Sequence, residues 1–145
     1  KTITDPERDN DFINTLLTKY DQGGVLPKWE LVANYTGTMI GYHSVPVIVD
    51  AYFKGFKGFD AEKAFEAMKA SALLDEEGLD FVKSLAYIPC DTQVESVAKA
   101  LEYAIDDWCI AAMAKDLGKT NDYELFSKRA KTFLALVVLI CQRIE

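Results

Sequence analysis

Apolar residues recur at helical spacing in one segment of this chain after another, and each run is bounded by residues that start or stop a helix. Phe12, Ile13, Leu16, Leu17 and Tyr20 form the first run. Thr4 or Asp5 caps it, Pro6 sits in its opening turn, and Gly23-Gly24 stops it. Ser44 caps a second helix with Pro46 in its first turn. Val45, Val47, Ile48 and Val49 are β-branched and also suit a strand, but Ala51, Tyr52 and the Gly55 stop extend the helical pattern. Asp60 caps a third helix with Phe65, Met68 and Ala72 on one face, and a short fourth covers roughly Leu79–Leu85. Thr92-Gln-Val-Glu95 reads as a capping box for a fifth. Val97, Leu101, Ala104, Ile105, Trp108 and Ala112 then make one apolar stripe, ended by Gly118. Asn121 and Glu124 repeat the capping pattern for a sixth helix, with Phe126, Ala130, Phe133 and Leu134 facing inward. No Gly/Pro/Ser-rich linker interrupts the series. The pattern predicts an all-α fold of about three stacked helical hairpins, the unit of bundles, solenoids and closed α/α toroids.

The 145 residues make one domain, 1–145, and half of them are hydrophobic, enough to bury a core. The net charge of −7 argues against nucleic acid as a partner and against docking on an anionic membrane. The longest apolar run, Phe133–Cys141, falls short of the roughly 20 residues that a membrane span needs. Lys1-Thr-Ile-Thr-Asp-Pro6 has no apolar signal core, and without an initiator Met the chain is expected to begin after processing or inside something longer. Cys90, Cys109 and Cys141 are too widely spaced for a disulfide framework or a zinc pattern, and Cys109 on a helical face reads as a buried thiol.

The chemistry concentrates between Leu26 and Asp50. Val25–Tyr42 has no clean period and reads as a long structured loop, a class that often carries function. Trp29 beside Glu30 joins an indole face to a carboxylate, the pairing that holds sugar rings, although a core tryptophan is an equal reading. His43, the only histidine, has no sequence partner for nucleophilic catalysis beyond the adjacent Ser44, so a hydrogen-bonding or structural role suits it better. A glycosidase needs two carboxyl groups about 5–10 Å apart. Glu30, Asp50, Glu95, Asp106 and Asp107 are candidates because they lie beside aromatics, but the residues alone do not select a pair. Glu95 also serves the capping box, and Asp106-Asp107 also reads as one solvated and one hydrogen-bonded carboxylate on a long helix.

The runs LPKWEL, Asn34, Thr36, Thr38-Met-Ile-Gly-Tyr-His43-Ser-Val-Pro-Val-Ile and Asp50-Ala-Tyr resemble the catalytic domain of glycoside hydrolase family 92, the calcium-dependent exo-acting α-mannosidases. Lys54-Gly-Phe, Phe59-Asp60, Glu66-Ala-Met, Gly78-Leu-Asp-Phe, Tyr87-Ile-Pro, Glu95-Ser-Val, Leu101-Glu-Tyr-Ala and Asp106-Asp-Trp-Cys-Ile-Ala continue the resemblance in order, from roughly Asn10 to Lys131. The resemblance implies an (α/α)6 toroid, of which this chain supplies about half. It implies hydrolysis of terminal α-linked mannose, α-1,2 above all, with inversion, in mannose-containing glycans outside the cell or in the periplasm. It also implies calcium in the parent enzyme. The family's Glu-Gly-Asn acid motif and Asn-Glu-Asp calcium motif do not occur here, so the catalytic acid, the base and the metal ligands are expected outside this chain. Tyr35 stands where many members carry glutamate, and residues 132–145 read as a divergent tail.

The expectation is therefore an internal piece of a mannosidase catalytic domain. Trp29, Glu30, Asn34, His43 and Asp50 form part of the substrate-pocket wall, and the chain alone is catalytically silent. Its partners are the glycan and the rest of the parent enzyme, and with helix faces left exposed it self-associates or partly unfolds. The rival is a tetratricopeptide-like interaction module, suggested by the hairpin Ala100–Phe133 with Gly118 at its turn. No period near 34 residues supports it in the first half of the chain.

Overall fold

The computed structural model describes residues 4–31, 34–36 and 38–134. A 3-10 turn, Pro6–Arg8, leads into α1 (Asp9–Gly23). Two short strands follow, β1 (Glu30–Leu31) and β2 (Asn34–Tyr35). Then come α2 (Ser44–Phe53), α3 (Ala61–Ala72), α4 (Leu79–Leu85), α5 (Ser96–Asp116) and α6 (Thr120–Arg129). The all-α reading holds, with one correction: the stretch read as a loop contains a small antiparallel ribbon in which Glu30 faces Tyr35 and Leu31 faces Asn34. The chain divides into two compact units, Lys1–Ser71 and Ala72–Glu145.

In the first unit the core comes from Ile13 and Leu17 of α1, Leu26 and Tyr42 of the connection, Val45, Ile48, Val49 and Ala51 of α2, and Ala64, Phe65, Ala67 and Met68 of α3. α1 ends as the glycine pair predicts. Gly24 takes a left-handed φ of 77°, and its N–H donates to the Tyr20 carbonyl at 2.7 Å. Asp60 caps α3 as expected, its Oδ1 accepting from the Lys63 N–H at 3.1 Å. Asn10 and Asn14 of α1 hold the turn before it: Asn14 Nδ2 donates to the Gly58 carbonyl at 2.9 Å, and the Gly58 N–H donates to Asn10 Oδ1 at 3.0 Å. A Cβ at Gly58 would lie 2.4 Å from Asn10 Cγ, so the close approach requires glycine. Ser44 does not cap α2. His43 occupies that position, and the Ser44 hydroxyl donates instead to the Pro27 carbonyl.

In the second unit α5 and α6 pack as a hairpin. They run antiparallel, because Lys115 lies over the Tyr123 ring near the turn while Arg129 reaches Asp107 further along. Gly118 closes α5 with a φ of 71°, as its place after the helix predicts. The Thr92–Glu95 capping box is not formed. Thr92 Oγ1 donates to the Pro89 carbonyl at 3.0 Å, Glu95 is left-handed at φ 57°, and α5 begins at Ser96 without a side-chain cap. α6 likewise starts at Thr120 behind Lys119, so Asn121 lies inside the helix rather than capping it.

Asp106 and Asp107 are both fully buried, where one solvated carboxylate was expected. Asp107 Oδ2 accepts from Arg129 Nε at 2.9 Å, and Arg129 Nη1 also donates to the Ala72 carbonyl at 3.0 Å. The apolar stripe of α5 lies largely outward, with Ala104 alone of its residues buried. Val97, Leu101, Ile105 and Trp108 are exposed, Trp108 by 65%, whereas Lys99, Tyr103, Asp106, Asp107, Ile110 and Met113 are buried. Periodicity locates an apolar face but not what covers it. The inner face of α5 is mostly apolar, with Ala100, Ala104, Cys109, Ala111 and Ala114 also buried, and it admits the paired charges Lys99 and Asp107. Phe126 and Ala130 turn inward as expected, while Phe133 and Leu134 are exposed. Phe133 and Ala130 join Leu101, Ala104, Ile105 and Trp108 in an open apolar groove of about 420 Å³. Residues 135–145, the greater part of the tail at 132–145, lie outside the described residues.

Candidate functional site

The segment from Leu26 to Asp50 is fixed to its unit at both ends. The Leu26 N–H donates to Ser71 Oγ at 2.9 Å, and that hydroxyl donates to the Ala67 carbonyl at 3.0 Å. The Pro27 carbonyl takes the Ser44 hydroxyl, which ties the ribbon's entry to the first turn of α2. Between these points the Trp29 carbonyl accepts the Thr36 N–H and the Thr36 hydroxyl, both at 3.1 Å, and Thr36 and Thr38 hydroxyls meet at 2.8 Å. The ribbon is thus closed by backbone and threonine bonds, and the side chains of Trp29 and Glu30 are left exposed.

Three of the five expected wall residues lie along this ribbon. Trp29 and Glu30 are neighbours on β1 and its approach, and Asn34 sits on β2 opposite Leu31. Trp29 is 50% exposed, which excludes the core reading and leaves a free indole face. Glu30 pairs with Lys19 of α1 at 3.2 Å. The other two lie on α2. His43 precedes its first residue and is half-buried, while Asp50 is exposed and pairs with Lys54 at 2.7 Å. Seven residues separate them, so they share one face of the helix about 10 Å apart along its axis. Val47 shares that face and is exposed, whereas Val45, Ile48 and Val49 on the opposite side are buried. Tyr42, fully buried, anchors the turn that presents His43.

An exposed indole ring beside a carboxylate is chemistry that suits the alternating apolar and hydroxyl faces of a sugar ring. Each candidate carboxylate has its own setting. Glu30 and Asp50 are each ion-paired on an exposed surface, Asp107 is buried against Arg129, Asp106 is fully buried, and Glu95 is exposed at the start of α5. Among the described residues no three His, Cys, Asp or Glu side chains come together as a metal would require. The residues present therefore do not fit a calcium site built on carboxylates, and no catalytic step is routed through one. Sequence reasoning missed Lys99 and Arg129 as buried charges. Their helical spacing with Tyr103, Asp106 and Ile110, and with Phe126, was the available signal.

Residues 1–136 match the family model of the glycosyl hydrolase family 92 catalytic domain. The chain belongs to glycosyl hydrolase family 92. A family 92 α-mannosidase of Bacteroides thetaiotaomicron, whose structure was solved with mannoimidazole, superposes with a TM-score of 0.83 at 44% identity, over 87% of this chain and 17% of the mannosidase. A family 92 inverting mannosidase of the same organism gives 0.82 at 34% identity, over 88% and 18%. An uncharacterized secreted glycosidase of Arthroderma benhamiae is 28% identical over 129 residues, 77% of this chain and 17% of the relative. The chain thus spans between a sixth and a fifth of the proteins it resembles. The match includes the Ala100–Phe133 hairpin, so the tetratricopeptide-like reading is not favoured. No helix among the described residues is long and apolar enough to cross a membrane.

Proposed function

We propose that this chain is an internal piece of the catalytic domain of an inverting, exo-acting α-mannosidase. The parent enzyme removes terminal α-linked mannose, with α-1,2 linkages as its preferred substrate, from glycans in a secreted, periplasmic or cell-surface setting. The observation that carries this reading is the 44% identity and TM-score of 0.83 to a family 92 α-mannosidase over nearly the whole chain. The secreted relative supports the setting.

In this reading Trp29, Glu30, Asn34, His43 and Asp50 are pocket wall. Trp29 stacks on the pyranose ring and the polar groups take its hydroxyls. An inverting glycosidase protonates the leaving oxygen with one carboxylic acid and activates water on the far face with a second carboxylate. We assign both groups, and the ligands for the parent's calcium, to the portion outside this chain, because the Glu-Gly-Asn and Asn-Glu-Asp motifs do not occur in it. The (α/α)6 ring is completed there too, with this chain as about half of it. The chain alone is accordingly silent. The test is mannose release from an aryl α-mannoside and from α-1,2-mannobiose by the chain alone, with and without calcium. No release is expected in either case, and calcium-dependent release would overturn the assignment of the acid and base to the missing portion.

A further inference from the structure

Among the described residues three non-glycine positions have left-handed backbone, and all three fall in one stretch of the second unit: Glu77 at φ 55°, Ala86 at φ 60° and Glu95 at φ 57°. Such strain persists only where surrounding contacts hold it, and it concentrates at binding and catalytic sites. Here the contacts are evident. Lys99, almost wholly buried in α5, donates from Nζ to Glu77 Oε2 at 2.6 Å and to Gln93 Oε1 at 3.1 Å, so one ammonium grips both ends of the stretch. The Lys99 N–H donates to the Glu95 carbonyl at 2.9 Å, and the Tyr103 hydroxyl donates to the Glu77 carbonyl at 3.1 Å. Ile88, buried, sits over Gly78, and the Pro89 carbonyl gathers the N–H groups of Thr92 and Gln93 and the Thr92 hydroxyl. The loop is therefore held at several points in a strained backbone, and Tyr87, Asp91 and Thr92 on it are exposed. An aromatic ring, a carboxylate acceptor and a hydroxyl are the groups that recognise a sugar's apolar face and its hydroxyls.

We infer that the loop Ala86–Glu95 is a second glycan-contacting surface, with Tyr87 as the stacking residue, Asp91 and Thr92 as hydroxyl partners, and Lys99 as the positioning residue that holds the loop in its binding conformation. The inference rests on the mannosidase reading for the identity of the sugar, an α-linked mannooligosaccharide.

The test is residue-resolved NMR titration of the chain with α-mannotriose, cellotriose serving as the control. Shifts at the amides of Tyr87–Thr92 that saturate with α-mannotriose and not with cellotriose are expected. Tyr87→Ala should weaken binding at the loop about fivefold, the loss of one ring-stacking contact, without changing the shifts at Trp29 and His43. Lys99→Met should weaken it similarly while Lys99→Arg restores it, and Glu95→Gly, which relieves strain and leaves the charge network intact, keeps the fold if Lys99→Met does not. Shifts at Trp29 and His43 with none at Tyr87–Thr92, or unchanged loop binding in Tyr87→Ala, would overturn the inference alone. Absence of shifts at both surfaces would overturn it together with the mannoside-binding reading.

Discussion

Ser71 shows how a single side chain holds the candidate site in place. Its hydroxyl is the partner of the buried Leu26 N–H, at the point where the chain leaves α1 for the ribbon that carries Trp29 and Glu30. Ser71→Ala leaves that N–H without a partner in a place water does not reach, at a cost of about 1–3 kcal/mol. Urea unfolding should show the loss, and Trp29 fluorescence should change with it. The Asp107–Arg129 pair makes the same point in the second unit. Asp107→Ala strands a buried guanidinium and should destabilise by about 3–5 kcal/mol, whereas Asp107→Ala with Arg129→Met should recover much of that loss. If the single and double variants melt alike, the pair contributes less than its burial implies. The pair was not legible from the sequence, because Asp106-Asp107 reads as one solvated and one hydrogen-bonded carboxylate until the partner helix is placed.

At the level of elements, the sequence was most informative where local chemistry alone decides. α4 was placed at its observed ends, Asp60 caps α3, and Gly24 and Gly118 close α1 and α5, since each depends on a few neighbouring residues. It was least informative where an element competes for partners beyond its own turn. The Thr92–Glu95 box lost to the Pro89 carbonyl, the Ser44 cap lost to the Pro27 carbonyl, and the Thr36 bonds to Trp29 made a ribbon that no period of two announces. Of the site, the wall residues could be listed but not joined. The structure gathers Trp29, Glu30 and Asn34 on the ribbon and sets His43 and Asp50 along α2. The outward stripe of α5 is the element whose state carries a test. With Leu101, Ile105 and Trp108 exposed, the chain should self-associate as its concentration rises, and Leu101→Lys with Ile105→Lys should abolish this without loss of helix. Sedimentation velocity decides: a monomer at every concentration in the unmodified chain would contradict it.

For the whole molecule, the exposed apolar stripe of α5 fits a chain that is part of something larger. The paired charges Lys99–Glu77 and Arg129–Asp107 satisfy polar groups on the buried side, while the apolar stripe is exposed among the described residues. The chain belongs to family 92 and spans only 17% and 18% of the two mannosidases, and we assign the acid and the base to the rest of the parent protein. The most direct measurement is of that parent, made from the complete coding sequence around this segment. Proton NMR should follow the anomer first released from a terminal α-mannoside. Release of β-mannose, the product of a single inverting displacement, is the result the account predicts. Initial release of α-mannose, or no hydrolysis by the complete protein, would contradict it.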